Sequence, residues 1–172
     1  IEGSSVTDFL IEREEYFKVV GEVAQTITAP GHEPRLPNAF RALSQALLWF
    51  HDGCREREPL MAIVKFVAAF EALTKGGKQR AMQRLACDSL GADPDTVITF
   101  NGHTIESAIR VLYKDARSRT VHGPNPKISE DWSHWQAIAS FLAARCIARC
   151  IELVSDTDIQ DSSYIVDLAA SR

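Results

Sequence analysis

The stretch TIESAIRVLYKDARSRTVHGP, Thr104 to Pro124, decides the fold. Ile105, Ala108, Ile109, Leu112 and Ala116 recur in it at the three- and four-residue spacing of a single helical face, with mostly charged or polar residues between them. Glu106 stands near the start, where the helix dipole favours an acid, and Gly123-Pro124 stops the run. The spacing predicts a helix over 104–120 that delivers Arg117 to His122 at its C-terminal end.

The same period recurs on both sides. Downstream, Trp135, Ile138, Phe141, Leu142, Cys146, Ile147 and Ile151 predict the longest helix, from near Ser129 to Val154. Upstream, Met82, Leu85 and Ala86 predict a helix from Lys78 to Leu90, ended by Gly91. Ile63, Phe66, Val67, Phe70 and Leu73 predict another that opens on Pro59, which a first turn accepts, and stops at Gly76-Gly77. Asn38 is a good cap for a helix over Ala39 to His51, carrying Phe40, Leu43, Ala46, Leu47 and Phe50 and stopped by Asp52-Gly53. Five helices on short connections, without a convincing set of alternating strands, specify an all-α bundle of four to five helices. The expected division is an irregular N-terminal segment and Pro-rich linker over 1–37, the bundle over 38–154 and an Asp- and Ser-rich tail over 155–172. Within 4–27, Tyr16, Phe17, Val19 and Val20 show no clean period and fit a helix or a strand.

With 172 residues and 45% apolar content, the chain has the makings of one folded, soluble domain. Its net charge of −4 argues against a protein that coats nucleic acid generally, since such binding shows as a basic excess. The charge is nevertheless segregated, with Arg110, Lys114, Arg117 and Arg119 close together. Cys54, Cys87, Cys146 and Cys150 form no C-x-x-C pair and no zinc spacing, so they read as reduced, mostly buried thiols. His51-Asp52-Gly53-Cys54 looks like half a metal site but lacks a second ligand pair, and no metal or cofactor is expected. Trp132, His134 and Trp135 read as core packing rather than a base platform, because Trp135 shares its stripe with Ile138. The apolar run around 63–73 is broken by Lys65 and Glu71, so no membrane span is expected and the cytoplasm is the expected compartment. A chain that starts at Ile1 is expected to be a piece of something longer, with 30–37 as a hinge from an upstream sensor domain.

Arg117 and His122 put a permanent cation beside a side chain that titrates near neutral pH, a combination suited to phosphate chemistry. Cleaving RNA without a metal uses the 2′-OH as nucleophile, so a proton must move and negative charge on phosphorus must be stabilised. His122 suits the first task, and its place in a last helical turn favours its protonated form; Arg117 suits the second. Residues five apart on an ideal helix are rotated by about 140° and separated by about 7.5 Å along the axis. One helix therefore does not readily aim both at a single phosphate, and the pair is expected to meet by unwinding before Gly123 or across a dimer interface. Glu71 is a candidate to hold Arg117 or His122 through its carboxylate, and Tyr113, four residues before Arg117, to pack beside the guanidinium. Lys114 and Arg119 are candidate substrate-binding cations.

The phrase from Val111 to Gly123 resembles the R-x4-6-H signature of HEPN domains, and Phe66-Val67-Ala68-Ala69-Phe70-Glu71-Ala72-Leu73 resembles the second-helix phrase of the Apea-like HEPN branch. The resemblance covers residues 39–154. It implies an all-helical, metal-independent endoribonuclease with Arg117 and His122 as catalytic residues and with Ser118, in a position often polar in the family, as a supporting one. It also implies RNA as substrate, a homodimer whose two Arg117/His122 pairs face one groove, and a role as effector of a bacterial toxin or antiphage system with a sensor domain or antitoxin as partner. The alternative it allows is a non-catalytic HEPN-like module binding RNA, a nucleotide or a partner protein. Thr120, where related sequences often carry an aliphatic residue, and the extra charge of Arg119 depart from the pattern.

Overall fold

The computed structural model describes residues 13–29, 31 and 33–155. Helix α1 (Glu14–Thr28) opens with Glu14 and Glu15 in its first turn, and Lys18 pairs with them at 3.0 and 2.6 Å. The ambiguous 4–27 segment is thus helical from Glu14 onward, while 4–12 lies outside the described residues. Val19 and Val23, four apart on one face, are buried in the common core. The helical body therefore includes Glu14–Thr28, ahead of the expected start at Asn38. The stretch expected to be a linker belongs to that body too: Leu36 is buried, and Arg35 donates from Nη2 to the Val154 carbonyl at 2.7 Å, at the far end of the chain.

Helix α2 (Pro37–Arg55) starts on proline at its first position, so Asn38 lies inside the helix rather than capping it. It also runs past Asp52-Gly53. Gly53 is buried, and a Cβ there would lie 2.7 Å from the Phe66 ring, so the glycine marks a close helix crossing and not a stop. Helices α3 (Pro59–Leu73) and α4 (Lys78–Leu90) occupy the expected spans, α4 ending on Gly91 in the left-handed conformation. The fifth rod, α5 (105–122), is wound in three ways: α-helical Ile105–Arg110, π-helical Val111–Ser118 and α-helical Arg119–His122. Thr104 and Ser107 cap its start reciprocally, each side chain accepting the other's backbone N–H. Helix α6 (Ser133–Ser155) begins after the expected Ser129, because the preceding loop turns to bury Trp132, whose indole N–H donates to the Lys127 carbonyl at 2.8 Å. It extends through Ser155, and the rest of the expected tail lies outside the described residues.

The result is an all-α bundle with one continuous core. Among the described residues the only β pairing is an isolated bridge from Val97 to Thr104, and no helix is long and apolar enough to cross a membrane. Helix α3 is buried through Leu60, Ile63, Phe66, Val67 and Phe70, and packs against α2, α6 and the π-helical part of α5. Helix α6 contributes Leu142, Cys146, Ile147, Cys150 and Val154 to the same core. Trp135 is half-buried between the rings of His103 and His134.

Two outcomes test this packing. Gly53→Ala, a change that in an open helix stabilises by roughly 0.5–1 kcal/mol, is expected here to destabilise by about 1–3 kcal/mol through collision with Phe66, read as a lower denaturation midpoint. Burial pushes the Cys146 thiol up to about 12 and the Cys150 thiol well above its ordinary value. The unfolded chain then releases these protons first, so stability is complete below about pH 8.5 and falls above it by up to about 1.4 kcal/mol per pH unit per thiol. Stability measured from pH 7 to 10 should show that decline, and replacing either cysteine with Ala should reduce its slope.

Candidate functional site

The wide turns of a π-helix bond each N–H five residues back, and such segments occur mostly as local insertions in α-helices, frequently at functional sites. The winding here still reaches the Arg119 N–H, which bonds the Lys114 carbonyl. Leu112 and Ala116 stay in the core, and Arg117, next to Ala116, faces α3. Its Nη2 lies 2.8 Å from Oε2 of Glu71, in the last turn of α3. The two side chains are only 21% and 19% exposed, so this ion pair is shielded more than a surface pair.

Nη1 of the same guanidinium lies 2.9 Å from Nε2 of His122. A guanidinium offers five donors and no acceptor, so a hydrogen bond between them has the Arg117 N–H as donor and Nε2 as acceptor. The expected obstacle of geometry is absent. An offset of about 140° describes ideal backbone positions, not side-chain reach, and the long arginine stem covers it while the helix continues through His122. The pair meets within one chain, without unwinding and without a second copy.

The other candidates divide. The Tyr113 ring centroid is 6.0 Å from Arg117 Cζ, at the outer limit of a cation–π contact, and the ring packs partly on the core. Ser118 forms no side-chain hydrogen bond to the arginine. Arg119 is tied to Asp115 at 3.3 Å, and Lys114 is exposed; neither lines the groove of about 660 Å³ that Arg117 and Glu71 enter between α2, α3 and α5. The basic cluster of the sequence is therefore split around the helix. Among the described residues no group of three or more His, Cys, Asp or Glu converges as a metal site.

One supporting residue was not anticipated. Asn125, buried in the loop after Gly123-Pro124, donates to the Asp115 carbonyl at 3.1 Å and to Thr120 Oγ1 at 2.9 Å, while its Oδ1 accepts the Lys127 N–H at 3.0 Å. It folds the loop back against the segment that carries Arg117 and His122, and it gives Thr120, the departure from the aliphatic pattern, a specific partner. Its only sequence signal is asparagine between two prolines, a turn-forming context. Arg41 and Trp49 on α2 and Lys75 in the turn after α3, which line the groove, carried no signal because they come from segments distant in sequence.

No family model, curated protein or solved structure matches this chain. Its chemistry must be read from the side chains themselves.

Asn125→Ala should leave the Asp115 carbonyl without its partner and lower stability by about 1–3 kcal/mol. Amide exchange should quicken selectively over 117–123, and an unaltered exchange pattern would refute the bracing role.

Proposed function

We propose that this chain is a metal-independent endoribonuclease of HEPN type. The observation that supports it most is the contact of Arg117 with both Glu71 and His122 beside an open groove. Glu71 fixes the guanidinium, and the N–H donors not engaged by Glu71 or His122 are available for non-bridging phosphate oxygens. When a phosphate takes the Nη1 donor, Nε2 of His122 is released as a base. It accepts the 2′-OH proton, the 2′-oxygen bonds to phosphorus, and the bond to the 5′-oxygen breaks. The products are a 2′,3′-cyclic phosphate and a 5′-OH, the leaving oxygen having taken up a proton.

Attack and departure lie on opposite sides of phosphorus, and one imidazole serves one side at a time. The proposal therefore includes a homodimer in which His122 of a second copy, in its protonated form, gives a proton to the 5′-oxygen as the bond to phosphorus breaks. The resemblance supplies the setting proposed for it: a cytoplasmic toxin or antiphage effector governed by a sensor domain or an antitoxin.

A second reading, a non-catalytic helical module binding RNA, a nucleotide or a partner protein, draws on the same contacts, since Arg117 is neutralised by Glu71 and Nε2 is occupied. The two part in one assay. With single-stranded RNA and EDTA, the nuclease reading expects cyclic-phosphate ends, a loss of about 10²- to 10⁴-fold on Arg117→Ala or His122→Ala, and a specific rate that falls on dilution of the dimer. Abolition by EDTA, or cleavage indifferent to both substitutions, would defeat it. Binding that survives both substitutions, with no cleavage by the parent, identifies the module.

A further inference from the structure

The groove beside the Arg117–Glu71 pair has a composition of its own. Its α2 wall presents Arg41, Gln45 and Trp49 at helical spacing, and its floor is made of small α3 side chains such as Ala68 and Ala72. Among the described residues that line it, Arg41, Lys75 and Arg117 are the cations and Glu71, which Arg117 engages, is the acid. In a chain of net charge −4 this is a local positive field.

One ring points to what it holds. Trp49 is 38% exposed, whereas Trp132 is buried and Trp135 is packed against two histidines, so Trp49 is the tryptophan that offers ring surface to a ligand.

We propose that this groove is a track for single-stranded RNA next to the scissile phosphate. A base stacks on Trp49, a backbone phosphate meets Arg41, and the following phosphate reaches Arg117. A volume of about 660 Å³ lies in the range of small-ligand pockets, enough for a short piece of strand. A duplex is excluded because its bases remain stacked inside the helix, out of reach of an aromatic platform. The identity of the ligand rests on the ribonuclease reading; the charge, the aromatic ring and the shape of the groove do not.

The probe is a short single-stranded oligoribonucleotide carrying 2′-O-methyl groups throughout, which cannot be cleaved because its nucleophile is blocked. Titration should quench tryptophan fluorescence saturably. Trp49→Ala should remove the quench and weaken binding about 5- to 100-fold. Arg41→Ala should weaken binding and lower the salt slope by about one. Affinities unchanged in Trp49→Ala and Arg41→Ala, or equal binding of the matching duplex or of a free mononucleotide, would overturn the track. Cleavage of unmodified RNA alongside groove-independent binding defeats the track alone; groove-dependent binding without cleavage of unmodified RNA defeats the nuclease and leaves the track.

Discussion

The burial of α3 is the constraint on which the rest of this structure depends. Its sequence is apolar on nearly every side, and a helix of that kind belongs at the centre of a bundle. Only Lys65 and Glu71 carry charge along it, and a charge drawn toward a core must find a partner there. Lys65 meets Glu56 at 2.7 Å, a contact that holds the Glu56 carboxyl below its ordinary range. Glu71 meets Arg117. The demand for a partner to Glu71 is thus the physical link between the core and the candidate site, since it draws the end of α5 onto α3.

That link gives the Arg117 guanidinium a fixed aim. In the reaction proposed above, charge placed in this way would not need to reorient. The price is partial neutralisation by Glu71, which leaves Arg117 a better positioned but less strongly cationic group. His122 contacts the same guanidinium. One side chain therefore joins the core, the groove and the histidine.

The spans of α3 and α4 were legible because proline, glycine and apolar period agree there. Other boundaries misled where one residue type carries two physical meanings. Gly53 reads as a helix stop but serves a close approach to Phe66, and Asn38 reads as a cap although Pro37 already starts the helix. Helix α1 was hidden because only Val19 and Val23 of its exposed surface enter the core. In the site, Arg117, His122 and Glu71 could be singled out from the sequence, while the π-winding, the Asn125 brace and the groove wall could not, as each depends on where distant backbones come to lie.

By itself, the sequence determined that the chain forms an all-α bundle and where most of its helices lie, and it singled out Arg117, His122 and Glu71 as candidates, because periodicity and residue type are local properties. Tertiary structure alone decided that Arg117 and His122 meet within one chain. On an ideal isolated helix their positions are offset; in the folded chain the arginine stem covers that offset while Glu71 on α3 holds the guanidinium and Asn125 braces the loop that follows. These are relations among segments far apart in sequence, and no local pattern encodes them.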